Sequence, residues 1–200
     1  MNVDRRKIVF YGDSNTYGFD PRDFSGWRYP KKDIWVSMVA DALEDRFEIE
    51  NEGMNGRRIP TERYYRYDLE LIRSLSENDI FAVMLGTNDI LMNIESDAER
   101  AIAAMDEFID FIYGQENHPQ VLIIAPPYVG TENDADPIFL RFYRECVKMN
   151  EGFKKIAEKR GTAFADASEW GVKTAFDRCH FSIDGHRVFA QHMISFLKGV

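Results

Sequence analysis

The chain has 200 residues, 44% hydrophobic and 30% charged, a length and mix that suit one domain with a substantial core. Its net charge is 25 minus 34, or −9, which argues against nucleic acid or an anionic membrane as the main partner. The basic residues Lys31, Lys32, Arg57 and Arg58 form only doublets, and the two cysteines, Cys146 and Cys179, exclude both a disulfide scaffold and a zinc-type CxxC pair.

The N-terminal apolar run is only IVFY before Gly12 and Asp13 interrupt it, too short for the core of a signal peptide. No stretch approaches the roughly 20 apolar residues of a membrane span. A cytoplasmic chain is expected, with both cysteines as reduced, mostly buried thiols.

In chain order, KIVFY (7–11) reads as a buried strand. Residues 33–46 read as a helix, because Ile34, Met38 and Ala42, and Trp35, Val39 and Leu43, recur at helical spacing. FEIEN (47–51) alternates apolar and polar like a strand. Residues 61–75 are helical in composition, with Thr61 placed as an N-cap. DIFAVML (79–85) is a buried strand. Residues 96–113 form an amphipathic helix with Ala98, Ile102, Met105, Ile109 and Ile112 on one face. VLIIA (121–125) is a strand stopped by Pro126 and Pro127. A helix over 137–159, a short strand AFAD (163–166) and a last helix over 185–197 complete the chain.

Strands that alternate with helices imply an α/β fold, a parallel sheet covered on both faces. Five strands suggest the flavodoxin-like order 2-1-3-4-5. Ligands then bind beyond the carboxyl ends of the strands. The polar clusters fall there: GDSNT after the first strand, NEGMNGRR after the second, GTND after the third.

Each cluster has a plain structural reading and a chemical one. GDSNT (12–16) is ordinary turn chemistry, or it presents Ser14 at a helix start where its own amide faces a developing anion. In GMNG (53–56) either glycine allows a backbone N–H to approach a substrate oxygen. In GTND (86–89), Asn88 and Asp89 cap the next helix, or the Asn88 amide faces an oxyanion. In DRCHFSIDGH (177–186), Asp177 stands three residues before His180, where its carboxylate can hold the imidazole and stabilise its protonated form. His186 and His192 do not share a helical face, so no metal site is expected. His186 is expected to cap or pack at a helix start. Cys179 has no base assigned to it and is expected to be a buried thiol.

GDSNT, the glycine of NEGMNGRR, GTND and DRCH, in that order over about 7–197, resemble the four blocks of the SGNH (GDSL-type) hydrolases. VMLGTND and VLIIAPP are similar to the small arylesterase and acyltransferase branch. The resemblance implies a three-layer α/β/α sandwich and a single hydrolase domain over 1–200. By position it implies Ser14 as nucleophile, His180 as base and Asp177 as its partner. The oxyanion donors would be the Ser14 and Gly56 amides and the Asn88 side chain. The first block reads GDSN where GDSL or GDSI is commoner, so Asn15 puts a polar side chain where an apolar contact is usual.

The reaction expected is hydrolysis of short-chain, acetyl-type esters through an acyl-enzyme, on a soluble alcohol such as a sugar, without cofactor or metal. Acyl transfer, or lysophospholipase or thioesterase action, would use the same site. The rival class is a flavodoxin-like binding protein in which GDSNT cradles a phosphate. The aromatics Tyr17, Phe19, Trp27 and Tyr29 stack on a sugar, line an acyl pocket or cover the core. Asp13, Tyr17, Trp27 and Arg57 are the candidate substrate contacts. Some relatives of that branch form homo-oligomers.

Overall fold

The computed structural model describes residues 5–23, 25–92 and 97–200. Five strands, β1 (Arg6–Gly12), β2 (Phe47–Gly53), β3 (Ile80–Met84), β4 (Gln120–Ala125) and β5 (Ala163–Asp166), form one sheet in the order β2-β1-β3-β4-β5. Every neighbouring pair is parallel. β3 is buried at all of its positions, as a continuous apolar run between two helical layers requires.

The strand period of two separates the core into halves. Val9, Tyr11, Phe81, Val83, Val121 and Ile123 point to one face. There they meet α3 (Tyr65–Arg73), α5 (Ala98–Tyr113) and α6 (Pro137–Arg160) through Ile72, Phe108, Ile109, Met149 and Phe153. Ile8, Phe10, Ile80, Ala82, Leu122 and Ile124 point to the other. They pack on α2 (Trp35–Ala42) and α7 (Ile183–Lys198) through Trp35, Val39, Phe189, Met193 and Leu197. The result is the expected three-layer α/β/α sandwich. Two further helices, α1 (Ser14–Tyr17) and α4 (Thr87–Leu91), are single turns at the carboxyl edge of the sheet.

The sequence reading misplaced several boundaries. α3 starts at Tyr65, and Thr61 is no N-cap; its carbonyl accepts the Tyr64 N–H in a turn instead (2.7 Å). Residues 61–64 are exposed, so no packing draws the helix back by a turn, whereas Tyr65 and Ile72 are buried. α2 is shorter than 33–46, because residues 44–46 face solvent in a turn and 31–33 form a separate 3-10 turn. β2 runs on to Gly53, so NEG belongs to the strand. Asn88 and Asp89 sit inside α4 and do not cap the helix after it. α5 is capped by Asp97, whose Oδ1 accepts the Glu99 N–H; its expected first residue, Ser96, lies outside the described residues. No described helix is long and apolar enough to cross a membrane.

Register is what positions the site. Gly12, the last residue of β1, pairs with Gly53 on one side and with Met84 on the other. The first three polar blocks therefore leave the sheet side by side.

Candidate active site

β1 ends at Gly12, and Asp13 caps the turn that follows, its Oδ1 accepting the Asn15 N–H (2.9 Å). Ser14 is thereby the first residue of α1, where a helix leaves its N–H groups without intrahelical partners. α1 lies directly against β2. A Cβ on Gly53 would come within 2.1 Å of the Tyr17 nitrogen, so only glycine fits beneath the helix. The Gly53 N–H is already bonded to Asn51 Oδ1 (2.9 Å). Gly56 is exposed with φ +72°, and its N–H makes no hydrogen bond among the described residues. Of the two glycines in GMNG, Gly56 is the one with an amide to offer.

The fourth block is a loop between β5 and α7. It is closed by an isolated antiparallel bridge between Thr174 and Phe181 and by Ala175 N–H donating to the His180 carbonyl (2.7 Å). Ser182 caps α7 through Oγ, which accepts the Gly185 N–H (3.0 Å). Arg178 adopts a left-handed backbone, φ +63°. Its guanidinium pairs with Asp134 and lies 3.8 Å above the Phe139 ring, which braces the loop against the start of α6.

These elements bring Ser14, His180 and Asp177 into one line. His180 Nε2 lies 3.0 Å from Ser14 Oγ, and His180 Nδ1 lies 2.6 Å from Asp177 Oδ2. Asp177 Oδ1 accepts the backbone N–H of Cys179 (3.1 Å) and of His180 (3.0 Å). Burial would push Asp177 up, but the His180 ring and these amides outweigh it and hold the carboxyl below its ordinary value. The Phe19 ring covers His180, with centroids 4.6 Å apart. A serine, a base on its oxygen and a carboxylate behind the base can deprotonate the hydroxyl as it attacks a carbonyl carbon.

Asn88 is buried in α4 and donates one Nδ2–H to the Arg57 carbonyl (3.0 Å). An amide carries two such hydrogens, so the second remains for a further acceptor. The bond also ties the third block to the loop that holds Gly56.

The four substrate contacts expected from the sequence divide. Asp13 faces inward and caps α1; burial pushes its carboxyl up to about 6. Arg57 is a tie, not a free cation. Its Nη1 donates to the carbonyls of Gly12 (3.0 Å) and Glu52, and the guanidinium lies 4.0 Å above the Tyr11 ring. The Gly12 carbonyl also accepts the Met54 N–H (3.1 Å), so the guanidinium adds a second donor where β1 and β2 end. Tyr17 is half-buried under the Arg28 guanidinium (3.9 Å). Trp27 is 66% exposed and stays available to a ligand. Of the other aromatics, Tyr29 belongs to the core.

A cavity of about 730 Å³ opens beside Gly56, lined among others by Met54, Arg57, Ile59, Tyr64 and Asp68. A cavity of about 770 Å³ at the opposite end of the strands, near Ile80, Gln120 and Thr162, is remote from this chemistry; its Arg160 is tied to Asp106 and Asp110. Both cysteines are free thiols. Cys179 is pushed up to about 12, by burial first and then by the Asp13 and Asp177 charges, which leaves it a poor nucleophile. His186 is fully buried, with Nδ1 facing the Trp35 N–H (3.4 Å) and rings of Tyr29 and Phe181 around it. Among the described residues no group of three metal-ligating side chains exists.

The profile of the GDSL-like lipase/acylhydrolase family matches residues 10–188, a span that holds all four blocks. The chain belongs to this family. It is accordingly a carboxylic ester hydrolase. Solved structures share the family fold along the whole chain. A carbohydrate acetylesterase from Sinorhizobium meliloti is 20% identical, with 98% of this chain and 99% of that one covered and a TM-score of 0.81. An aryl esterase from M. smegmatis is 20% identical over 97% and 99%, with a TM-score of 0.81. An acetyl-xylooligosaccharide esterase from Geobacillus is 21% identical over 98% and 95%, with a TM-score of 0.70. No protein of curated function matches the chain in sequence.

The residue that sequence reasoning undervalued is Asn15. Its side chain is buried and bonded to the backbone on both sides of His180. The signal was available: a polar residue beside the candidate nucleophile, where this family more often has an apolar one.

Proposed function

We propose that the chain, as one hydrolase domain, is a serine esterase that removes short acyl groups, acetyl above all, from carbohydrate alcohols. The observation that carries this reading is the Ser14–His180–Asp177 line, with spacings of 3.0 and 2.6 Å. His180 Nε2 takes the Ser14 proton as Oγ bonds to the ester carbonyl carbon. Asp177 stabilises the imidazolium that forms. The carbonyl oxygen becomes an oxyanion held by the Ser14 and Gly56 N–H groups and the second Nδ2–H of Asn88. The C–O bond to the alcohol breaks as His180 returns the proton to the leaving oxygen, which leaves an acyl-Ser14 ester. Water, deprotonated by His180, then attacks that ester. The acid departs and Ser14 Oγ regains its proton.

The substrate class rests on exposed rings near the site and on the structural relatives. Trp27 and Tyr64 are exposed aromatics of the kind that stack on sugar rings, and Tyr64 lines the cavity beside Gly56. Two of the structural relatives bear the names of carbohydrate acetyl esterases. The test measures acetate release from an acetylated xylooligosaccharide, and turnover of p-nitrophenyl esters of two, four and eight carbons. Wild type is expected to release acetate and to favour the two-carbon ester; Ser14→Ala is expected to do neither. Equal turnover by Ser14→Ala would sink the mechanism, and preference for the eight-carbon ester would sink the substrate class.

A further inference from the structure

The nucleophile and its base come from opposite ends of the chain. Ser14 heads α1, and His180 sits in a loop whose other bonds run mainly to itself and to the start of α6. Something must fix the distance between them. The bond between Nε2 and Oγ cannot do so alone, because it breaks during reaction.

Asn15 makes the connection. It is 7% exposed, and both ends of its amide are used. Oδ1 accepts the Phe181 N–H (2.8 Å), and Nδ2 donates to the Cys179 carbonyl (3.3 Å). The amide thus grips the backbone immediately before and immediately after His180. Its own backbone is held as firmly. The Asn15 N–H donates to Asp13 Oδ1 (2.9 Å), and the Asn15 carbonyl accepts the Trp35 Nε1–H (2.9 Å). α1 and the His180 loop are pinned to each other through one side chain adjacent to Ser14.

We propose that Asn15 is a positioning residue that sets the register of His180 against Ser14. This inference rests on the esterase mechanism above and deepens it. An apolar side chain of similar size could fill the space. It could neither accept from Phe181 nor donate to Cys179, so a buried N–H and a nearby carbonyl would lose their partners. The loop would then relax toward other partners and carry the imidazole with it. A misplacement of about 1 Å at a reacting pair costs on the order of 10²-fold in rate.

The test compares wild type with Asn15→Leu, Asn15→Asp and, as a core control, Ile112→Ala. It reads kcat and KM on p-nitrophenyl acetate and the rate of covalent labelling by a fluorophosphonate. Asn15→Leu is expected to lose about 10²-fold in kcat with KM nearly unchanged, and to slow labelling in parallel. Asn15→Asp keeps the acceptor for Phe181 and loses the donor to Cys179. It is expected to fall between wild type and Asn15→Leu, and it decides the matter if the leucine variant does not fold. Ile112→Ala empties a fully buried position of α5 that touches neither Ser14, Asn15 nor the His180 loop, so it is expected to lower stability while kcat holds. Wild-type kcat and labelling in both Asn15 variants would overturn the positioning role. So would a fall in kcat in Ile112→Ala as large as that in Asn15→Leu, since that is the mark of general destabilisation. Failure of the mechanism itself is a separate result, in which wild type takes no label.

Discussion

Replacing Asp177 with asparagine separates holding the loop from tuning the base. In the native protein Oδ1 accepts two backbone N–H groups at 3.0 and 3.1 Å, and Oδ2 faces His180 Nδ1 at 2.6 Å. An asparagine can keep only one of these arrangements. If its oxygen stays on the two amides, its NH₂ group points at Nδ1. The imidazole must then accept there and carry its proton on Nε2, 3.0 Å from Ser14 Oγ, where the base has to be empty. The loop survives, because both backbone bonds are kept. Turnover is expected to fall by about 10³–10⁴, roughly 4–5 kcal/mol of barrier, with stability within about 1 kcal/mol of wild type. Asp177→Ala does the reverse. It deprives both amides of their acceptor, at about 1–3 kcal/mol of stability, but leaves His180 free to choose its tautomer. The two variants are therefore expected to cross: the asparagine substitution lies below the alanine one in kcat and above it in stability. Steady-state kinetics on p-nitrophenyl acetate, with urea unfolding of the same samples, checks the order. An asparagine variant that turns over as fast as the alanine variant would refute this account of the carboxylate.

Other outcomes follow from the same contacts. Asn88→Ala is expected to lose about 10²–10³ in kcat, the usual loss for one oxyanion donor; steady-state turnover near wild type would remove Asn88 from the mechanism. Gly53→Ala sets a Cβ 2.1 Å from the Tyr17 nitrogen and 2.6 Å from the Thr16 carbonyl carbon, backbone atoms that cannot swing aside. Urea unfolding is expected to show a loss of about 1–3 kcal/mol, and an unchanged midpoint would count against the close packing of α1 on β2. Burial lowers His186 to about 3, so the folded protein keeps it neutral while the unfolded chain takes a proton below 6.5. Its contribution is full above pH 6.5 and is lost as pH falls toward 3. His186→Leu should flatten that decline in thermal melts across the window, and an identical slope would contradict it. Asp13 has the opposite sign. Burial raises it from 3.8 to about 6, so the native state loses stability as pH rises through that interval. Asp13→Asn, which keeps an oxygen for the Asn15 N–H, is expected to gain roughly 2–3 kcal/mol relative to wild type between about pH 4 and pH 7; no relative gain would mean the carboxyl is solvated.

Much of this was legible in the sequence, for physical reasons. Continuous apolar runs such as FAVML suit a strand between two helical layers, so the parallel sheet could be read from alternation, and the count of five strands suggested its order. The blocks were legible because they end strands, and register then places Gly12 beside Gly53 and Met84. What could not be read was the direction of long polar side chains. Arg57 has the character of a substrate contact, yet the Gly12 and Glu52 carbonyls at the ends of β1 and β2 and the face of Tyr11 hold it inward. Asp13 looked like part of a reactive turn and proved to be its buried cap. Helix starts were missed where no packing fixes them, as at Thr61. The role of Asn15 depends on a contact across 166 residues of chain, which no local pattern encodes.

The central claim is that Ser14 is an activated nucleophile. The most direct measurement is incubation of the folded protein with a fluorophosphonate, followed by peptide mass mapping, for wild type and His180→Ala. One adduct is expected, on the peptide that carries Ser14, with little or none in the variant. A folded wild-type protein that takes no label, or takes it on another residue, would contradict the claim.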